Sequence, residues 1–237
     1  MTDISDPNDW LQQTCIFRGL SPDKLKSVTQ IAQWQRFPKG EMIFQQGDEA
    51  TGFYVIKTGR VKVFKLSVNG KEQILNIFGS GDEFAEVPAL DGKCFPASAA
   101  TLETSELLFF PRIAFIHLLY QSPDIAINML ISFSQHLRHF AGLIEDLSFK
   151  DVHQRLAAYI LNLTQSHSHS NHAFDHSNKI VILDLTKSQL ASSLGTIPAT
   201  LSRAFYRLSS EGMIAMNDAQ IEILDCDRLQ KLSQFLE

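Results

Sequence analysis

The sequence predicts an α+β protein in three parts: an N-terminal antiparallel β-roll, one long amphipathic helix, and a C-terminal winged helix-turn-helix. Three observations carry this. Glycines punctuate β-rich runs at short intervals from Gly40 to Gly81. Pro123 opens a long proline-free stretch whose apolar residues keep a heptad seam. Residues 186–208 read as two short helices about a tight turn, followed at once by a small hairpin. The expected domain boundaries are 1–122, 123–149 and 150–237.

In chain order, Ser5 to Gln13 suits a short leading helix. Ser21 is a good N-cap before Pro22 at the first helical position, and Leu25, Val28, Ile31 and Ala32 give that helix an apolar face ending near Trp34. From Phe37 the period becomes alternating. Met42–Phe44, Phe53–Ile56, Val61–Phe64, Ile74–Phe78, Ala97–Thr101 and Glu106–Phe110 read as strands, with Asn69-Gly70 as a hairpin turn. Many short strands with regular turns mean a compact antiparallel roll, here from Phe17 to Pro111.

Ile113 to Tyr120 reads as a short helix. The next, from Pro123 to Leu147, would be roughly 37 Å long. Ala126, Leu130, Phe133, Leu137, Phe140, Ile144 and Leu147 follow one another at alternating spacings of four and three. Packing on the chain's own roll calls for a wide apolar face. A strict alternation calls for a parallel partner helix, so a homodimer is expected. Residues 147–152 form a junction and hinge, with Asp151 as N-cap of a helix carrying Leu156, Ile160 and Leu163. A polar stretch holds His167, His169, His172, His176 and Asp175. These types could hold Zn²⁺, Ni²⁺ or Cu²⁺, but interleaved Ser and Asn favour a solvated loop. Ile180–Leu183 then reads as a strand.

The C-terminal pair is the most informative stretch. Leu190, Ala191 and Leu194 share a face, Gly195 suits a left-handed helix end, and Pro198 suits a helix start. Leu201, Phe205 and Leu208 recur at helical spacing. The charges here, Lys187, Arg203 and Arg207, are all positive. A turn at 211–214 and a hairpin from Ile214 to Ile223 complete a winged helix, whose second helix is suited to a DNA major groove.

The net charge of −5 places any phosphate-binding surface in that local patch. Three cysteines, Cys15, Cys94 and Cys226, stand far apart and outside metal-ligand spacing. A reduced, cytoplasmic, soluble chain is expected, with no signal peptide, no membrane span and no membrane partner. No nucleophile–base pair or phosphate loop supports an enzyme.

This order of parts resembles the Crp/Fnr family of bacterial transcription regulators. The motifs are Phe44-Gln45-Gln46-Gly47-Asp48, residues 54–63 (YVIKTGRVKV), Gly81-Asp82-Glu83-Phe84-Ala85-Glu86, residues 151–156 (DVHQRL) and the helix-turn-helix. The resemblance implies a cyclic-nucleotide-binding-like roll, a coiled-coil dimerisation helix, double-stranded DNA with a palindromic promoter site as partner, and contact with RNA polymerase. It also implies that Arg203 reads guanine, that Ser202 meets a base edge, and that Ala199 replaces a common Glu. Thr186, Ser188, Gln189, Thr196 and Thr200 fall on backbone-contact positions, beside Lys187 in the positive patch.

Departures from the family pattern bear on the effector. Members that bind cyclic AMP carry a Gly-Glu pair and, about ten residues on, Arg-Ser. Glu86 matches, but the Arg-Ser positions fall on Pro96 and Ala97, so the phosphate of cAMP has no cation to meet. Cys15 stands alone near the N-terminus, which excludes the family's iron–sulfur cluster. Phe84-Ala85-Glu86 and Phe95-Pro96-Ala97 look most like the nitric-oxide-responsive, haem-dependent branch of nitrogen-oxide regulators. That likeness implies haem, a diatomic gas such as nitric oxide, and an effector pocket at Glu86, Phe84, Pro96, Ala97, Phe133 and His136. His136 is the leading axial-ligand candidate, with His139, His117, His153, Met42 and Met129 as others. The alternatives are a regulator for another small molecule, or a haem or metal sensor without DNA binding.

Overall fold

The computed structural model describes residues 10–166 and 179–234. The histidine-rich stretch from His167 to His176 and the first half of the expected leading helix lie outside the described residues; Trp10 and Leu11 are helical. Two compact units make up the chain, Met1–His139 and Phe140–Glu237, and their boundary falls inside the long helix.

The first unit begins with α1 (Pro22–Ile31) and strand β1 (Gln33–Phe37). The helix stops earlier than its periodicity suggested. Ala32 is already extended, and Trp34 lies in β1 opposite Leu108, so pairing with the last strand of the roll displaces the final helical turn. Then come β2 (Met42–Phe44), β3 (Gly52–Thr58), β4 (Val61–Leu66), β5 (Glu72–Phe78), β6 (Glu83–Phe84), β7 (Ser98–Thr101) and β8 (Ser105–Pro111). They form two four-stranded antiparallel sheets, ordered β1-β8-β3-β6 and β2-β7-β4-β5. The β4–β5 turn is wider than a two-residue hairpin: the Ser67 N–H donates to Lys71 O at 2.9 Å, with Gly70 left-handed between them.

Between β6 and β7 sits a one-turn helix, α2 (Glu86–Asp91), too short to show a period in the sequence. Its N-cap is Ala85 at φ 67°, a left-handed conformation that costs an L-residue about 1 kcal/mol. This places Glu86 at the corner where β6 meets α2. After β8 come α3 (Arg112–Gln121) and the long α4 (Pro123–Phe149).

The unit holds two larger apolar clusters, beside a small one of Phe64, Ile74 and Ala100. One joins α1, α3 and the start of α4 to the first sheet, through Leu25, Val28, Phe53, Phe110, Phe115 and Met129. The other lies between the sheets and is mainly aromatic: Phe44, Tyr54, Phe78, Phe84 and Phe95.

The second unit contains the end of α4, then α5 (Val152–Ser166), β9 (Lys179–Ile182), α6 (Lys187–Ser193), α7 (Pro198–Ser210), β10 (Ile214–Asn217), β11 (Gln220–Ile223) and α8 (Cys226–Ser233). Asp151 caps α5 as expected: its carboxylate accepts from the Gln154 N–H at 2.9 Å, and the Gln154 side chain accepts from the Asp151 N–H. The three strands form a sheet in the order β10-β11-β9. Helix α5 packs on α7 and α8, and Leu156, Ile160, Leu201, Leu208 and Leu229 of these helices are buried. The sequence reading missed α8, although Asp225 accepts from the Arg228 N–H at 2.9 Å as an ordinary cap.

Candidate nucleic-acid interface and effector site

The second unit's exposed polar surface is built on α6 and α7. Thr186 caps α6 in a reciprocal box: its hydroxyl accepts from the Gln189 N–H, and the Gln189 carbonyl accepts from the Thr186 N–H at 2.9 Å. Both side chains, expected on DNA backbone, therefore first fix the helix start. The Gln189 amide NH₂ and the exposed Lys187 and Ser188 remain available for phosphate. Gly195 is left-handed at φ 66°, and the Thr196 N–H closes on Ala191 O at 2.9 Å. That turn sets Pro198 at the first position of α7.

Helix α7 buries Leu201, Ala204, Phe205 and Leu208. Its other face exposes Ala199, Ser202, Arg203, Tyr206 and Arg207, while Thr196 and Thr200 are half-buried at its start. The Ser202 hydroxyl donates to Pro198 O at 2.9 Å, which leaves its oxygen able to accept. Arg207 Nε is 2.8 Å from Glu211 Oε1, which holds that guanidinium in an ion pair. No such pair holds Arg203 among the described residues. Tyr206 shares the Ser202 and Arg203 face, and sequence reasoning missed it because an aromatic residue at helical spacing reads as core.

In the first unit, α4 turns a second seam inward, one residue behind the expected one. Ile125 and Met129 enter the apolar cluster. Ser132 donates to the buried Glu83 carboxylate. His136 Nδ1 lies 3.3 Å from Glu86 Oε1, with its ring edge-on to Phe78 at 5.7 Å. His139 Nε2 is 3.4 Å from Leu75 O. The hydrogen bond to Glu86 pushes the His136 pKa up. Burial pushes Glu83 and Asp82 up against the opposing pull of their hydrogen bonds from Ser132 and the Gly79 N–H.

The expected seam faces outward except at Phe133, which packs on the chain's own helix-side cluster. Leu130, Leu137 and Ile144 are 63%, 69% and 65% exposed, Phe140 and Leu147 are also exposed, and Ala126 is half-buried.

Of the expected effector residues, Glu86, Phe84 and Ala97 are buried at the corner of the roll and between its sheets. Pro96 is exposed instead. The chain alternates as it enters β7, so Phe95 points inward and stacks on Phe44 at 3.7 Å between centroids. Phe133 is corrected too: it packs against the helix-side cluster, not the aromatic one. Tyr54 stacks on Phe84 at 5.2 Å, and burial pushes its phenol up to about 12. Among the other ligand candidates, Met129 is sealed in the helix-side cluster, Met42 and His117 are exposed, and His153 lies beside Asp151 in the second unit. No group of three or more His, Cys, Asp or Glu among the described residues is placed to hold a metal ion.

Two family models match in tandem. Residues 34–122 match the cyclic nucleotide-binding domain, and residues 154–232 match the Crp-like helix-turn-helix domain. The chain belongs to the Crp/Fnr family of transcription regulators. Its fold is the family's, its helix-turn-helix binds DNA, and it is a regulator, not an enzyme.

Among this regulator's relatives, the "Cyclic AMP receptor protein" of Thermus thermophilus is 27% identical over 92% of this chain and 96% of its own. The "Fumarate and nitrate reduction regulatory protein" of Escherichia coli is 28% identical over 94% and 88%. Among solved structures, the Thermus thermophilus catabolite activator protein is 26% identical with a TM-score of 0.53, over 93% of this chain and 98% of that one. FixK2 of Bradyrhizobium japonicum, at 21% identity, shares the fold with a TM-score of 0.72 over 87% and 100%. Relatives with different names stand at nearly equal identity, so the effector of this regulator turns on its own residues. None of its described helices is long and apolar enough to cross a membrane.

Proposed function

We propose that the chain is a homodimeric regulator of promoters with palindromic sites, working through RNA polymerase and gated by nitric oxide or a related signal through haem in the roll. The apolar seam left exposed on α4 supports the dimer. With two copies paired in parallel, two α7 helices meet two half-sites related by the same two-fold axis.

The observation that carries the sensor reading is the Glu86–His136 pair. A metal-ligating imidazole commonly gives its other ring nitrogen to a carboxylate, which orients the ring and raises its basicity. Here Nδ1 faces Glu86, so Nε2, beside Phe78, would be the atom that holds the haem iron. Haem would be held by as little as one such side chain, so it needs no cluster of donors. When bound, it would supply a coordination site for a diatomic gas. Glu86 would hold the ring, and the surrounding aromatics would keep water away.

Cyclic nucleotide fits less well. Pro96 and Ala97 provide no cation for a phosphate.

The test is anaerobic reconstitution with haem, followed by absorption spectra with and without nitric oxide. A stoichiometric six-coordinate Soret band that shifts with the gas, and is altered in His136→Ala, is the expected result. A spectrum of free haem would overturn the sensor reading and leave DNA binding intact.

A further inference from the structure

At 100° per residue, Tyr206 sits on α7 in line with Ala199, seven residues earlier, and between Ser202 and Arg203 in azimuth. It occupies the middle of the exposed stripe, opposite the buried Leu201, Ala204 and Leu208. Tyr206 is 77% exposed, although a tyrosine ring gains much from burial. Helical side chains lean toward the N-terminus, so this ring overhangs the turn that carries Ser202 and Arg203. Ala199 offers only a methyl group further along the same line. Arg207, on the flank of the stripe, is held by Glu211. The stripe thus presents one cation, one exposed serine whose oxygen can accept, and one uncommitted aromatic ring.

We infer that Tyr206 is a specificity-determining residue, laying its ring against the C5-methyl of a thymine next to the base that Arg203 reads. In the major groove the other base edges offer donors and acceptors, and the thymine methyl is the apolar feature. An apolar ring gains there and nowhere else along the groove floor. The phenol hydroxyl, at the far tip, carries no part of this discrimination, so phenylalanine serves equally.

The experiment uses the full-length chain at low salt. Duplexes are first selected from a random pool. Each thymine of the selected half-site is then replaced in turn by deoxyuracil, which removes only the methyl group. Affinities are measured for wild type, Tyr206→Phe and Tyr206→Ala. One deoxyuracil position is expected to weaken wild type and Tyr206→Phe by about fourfold per methyl removed, and to leave Tyr206→Ala indifferent. Three results overturn the inference. One is equal weakening of every duplex by both substitutions, which marks a hydroxyl–phosphate contact. Another is unchanged binding and site preference in Tyr206→Ala. The third is a wild-type chain that enriches no sequence, which leaves no specificity for the ring to set.

Discussion

Glu83 shows how one residue ties the roll to its helix at a cost. Burial raises its pKa above the ordinary 4.5, and the Ser132 hydroxyl only partly compensates. Because the folded value is raised, its favourable contribution is complete below the ordinary carboxylate pKa and lost as pH rises through the folded value. Glu83→Gln keeps an oxygen for Ser132 and removes the charge. The variant is expected to melt at a higher temperature than wild type at neutral pH, the gap closing as pH falls toward 4; thermal melts across that range check it. None of this was legible in the sequence. In the sequence Glu83 stands only as part of the Gly81–Glu86 motif, and its partner lies 49 residues away. Pro96, assigned to the effector pocket on its likeness to the family, is exposed. Periodicity shows that a strand alternates, but the phase at Phe95 and Pro96 is set by the aromatic cluster, which long-range pairing assembles.

Element by element, the sequence was clearest where one helix carries its own explanation. The long run of α4, the left-handed Gly195 that ends α6 and Pro198 at the start of α7 are local patterns, and they are found where they were expected. The inner seam escaped notice because Ser132, His136 and His139 make it polar just where it meets the roll. The outer seam predicts that Leu137→Glu weakens self-association by about a hundredfold, since two buried leucines are lost per dimer; sedimentation equilibrium measures this. On α7, Glu211 neutralises Arg207. Glu211→Ala is therefore expected to tighten DNA binding and to steepen its logarithmic salt dependence by about 0.9 for each half-site whose phosphate gains a contact. Titrations at several salt concentrations read both effects.

At the level of the whole molecule, the fold was readable because each part has a distinct punctuation: glycines in the roll, a proline-free heptad run, and a Gly-Thr-Ile-Pro turn between the two short helices. The candidate effector site was less readable, since its side chains are brought together from β2, β3, β6, α2 and α4. The interior those elements enclose is aromatic, and its anionic corner has no facing cation at Pro96 and Ala97. Millimolar cyclic AMP or cyclic GMP is expected to leave both the melting temperature and the DNA affinity of the full-length chain unchanged; calorimetric melting and DNA titration check this.

The two seams of α4 are only one residue out of step, so the helix behaves as a shaft with teeth on two sides. One side engages carboxylates at the corner of the roll; the other is cut to mesh with a second shaft. Any rotation that improves the fit on one side drags Ser132 and His136 across Glu83 and Glu86 on the other. A change at the corner of the roll is thereby geared to the angle at which two copies meet, with no intervening chain of contacts to carry it.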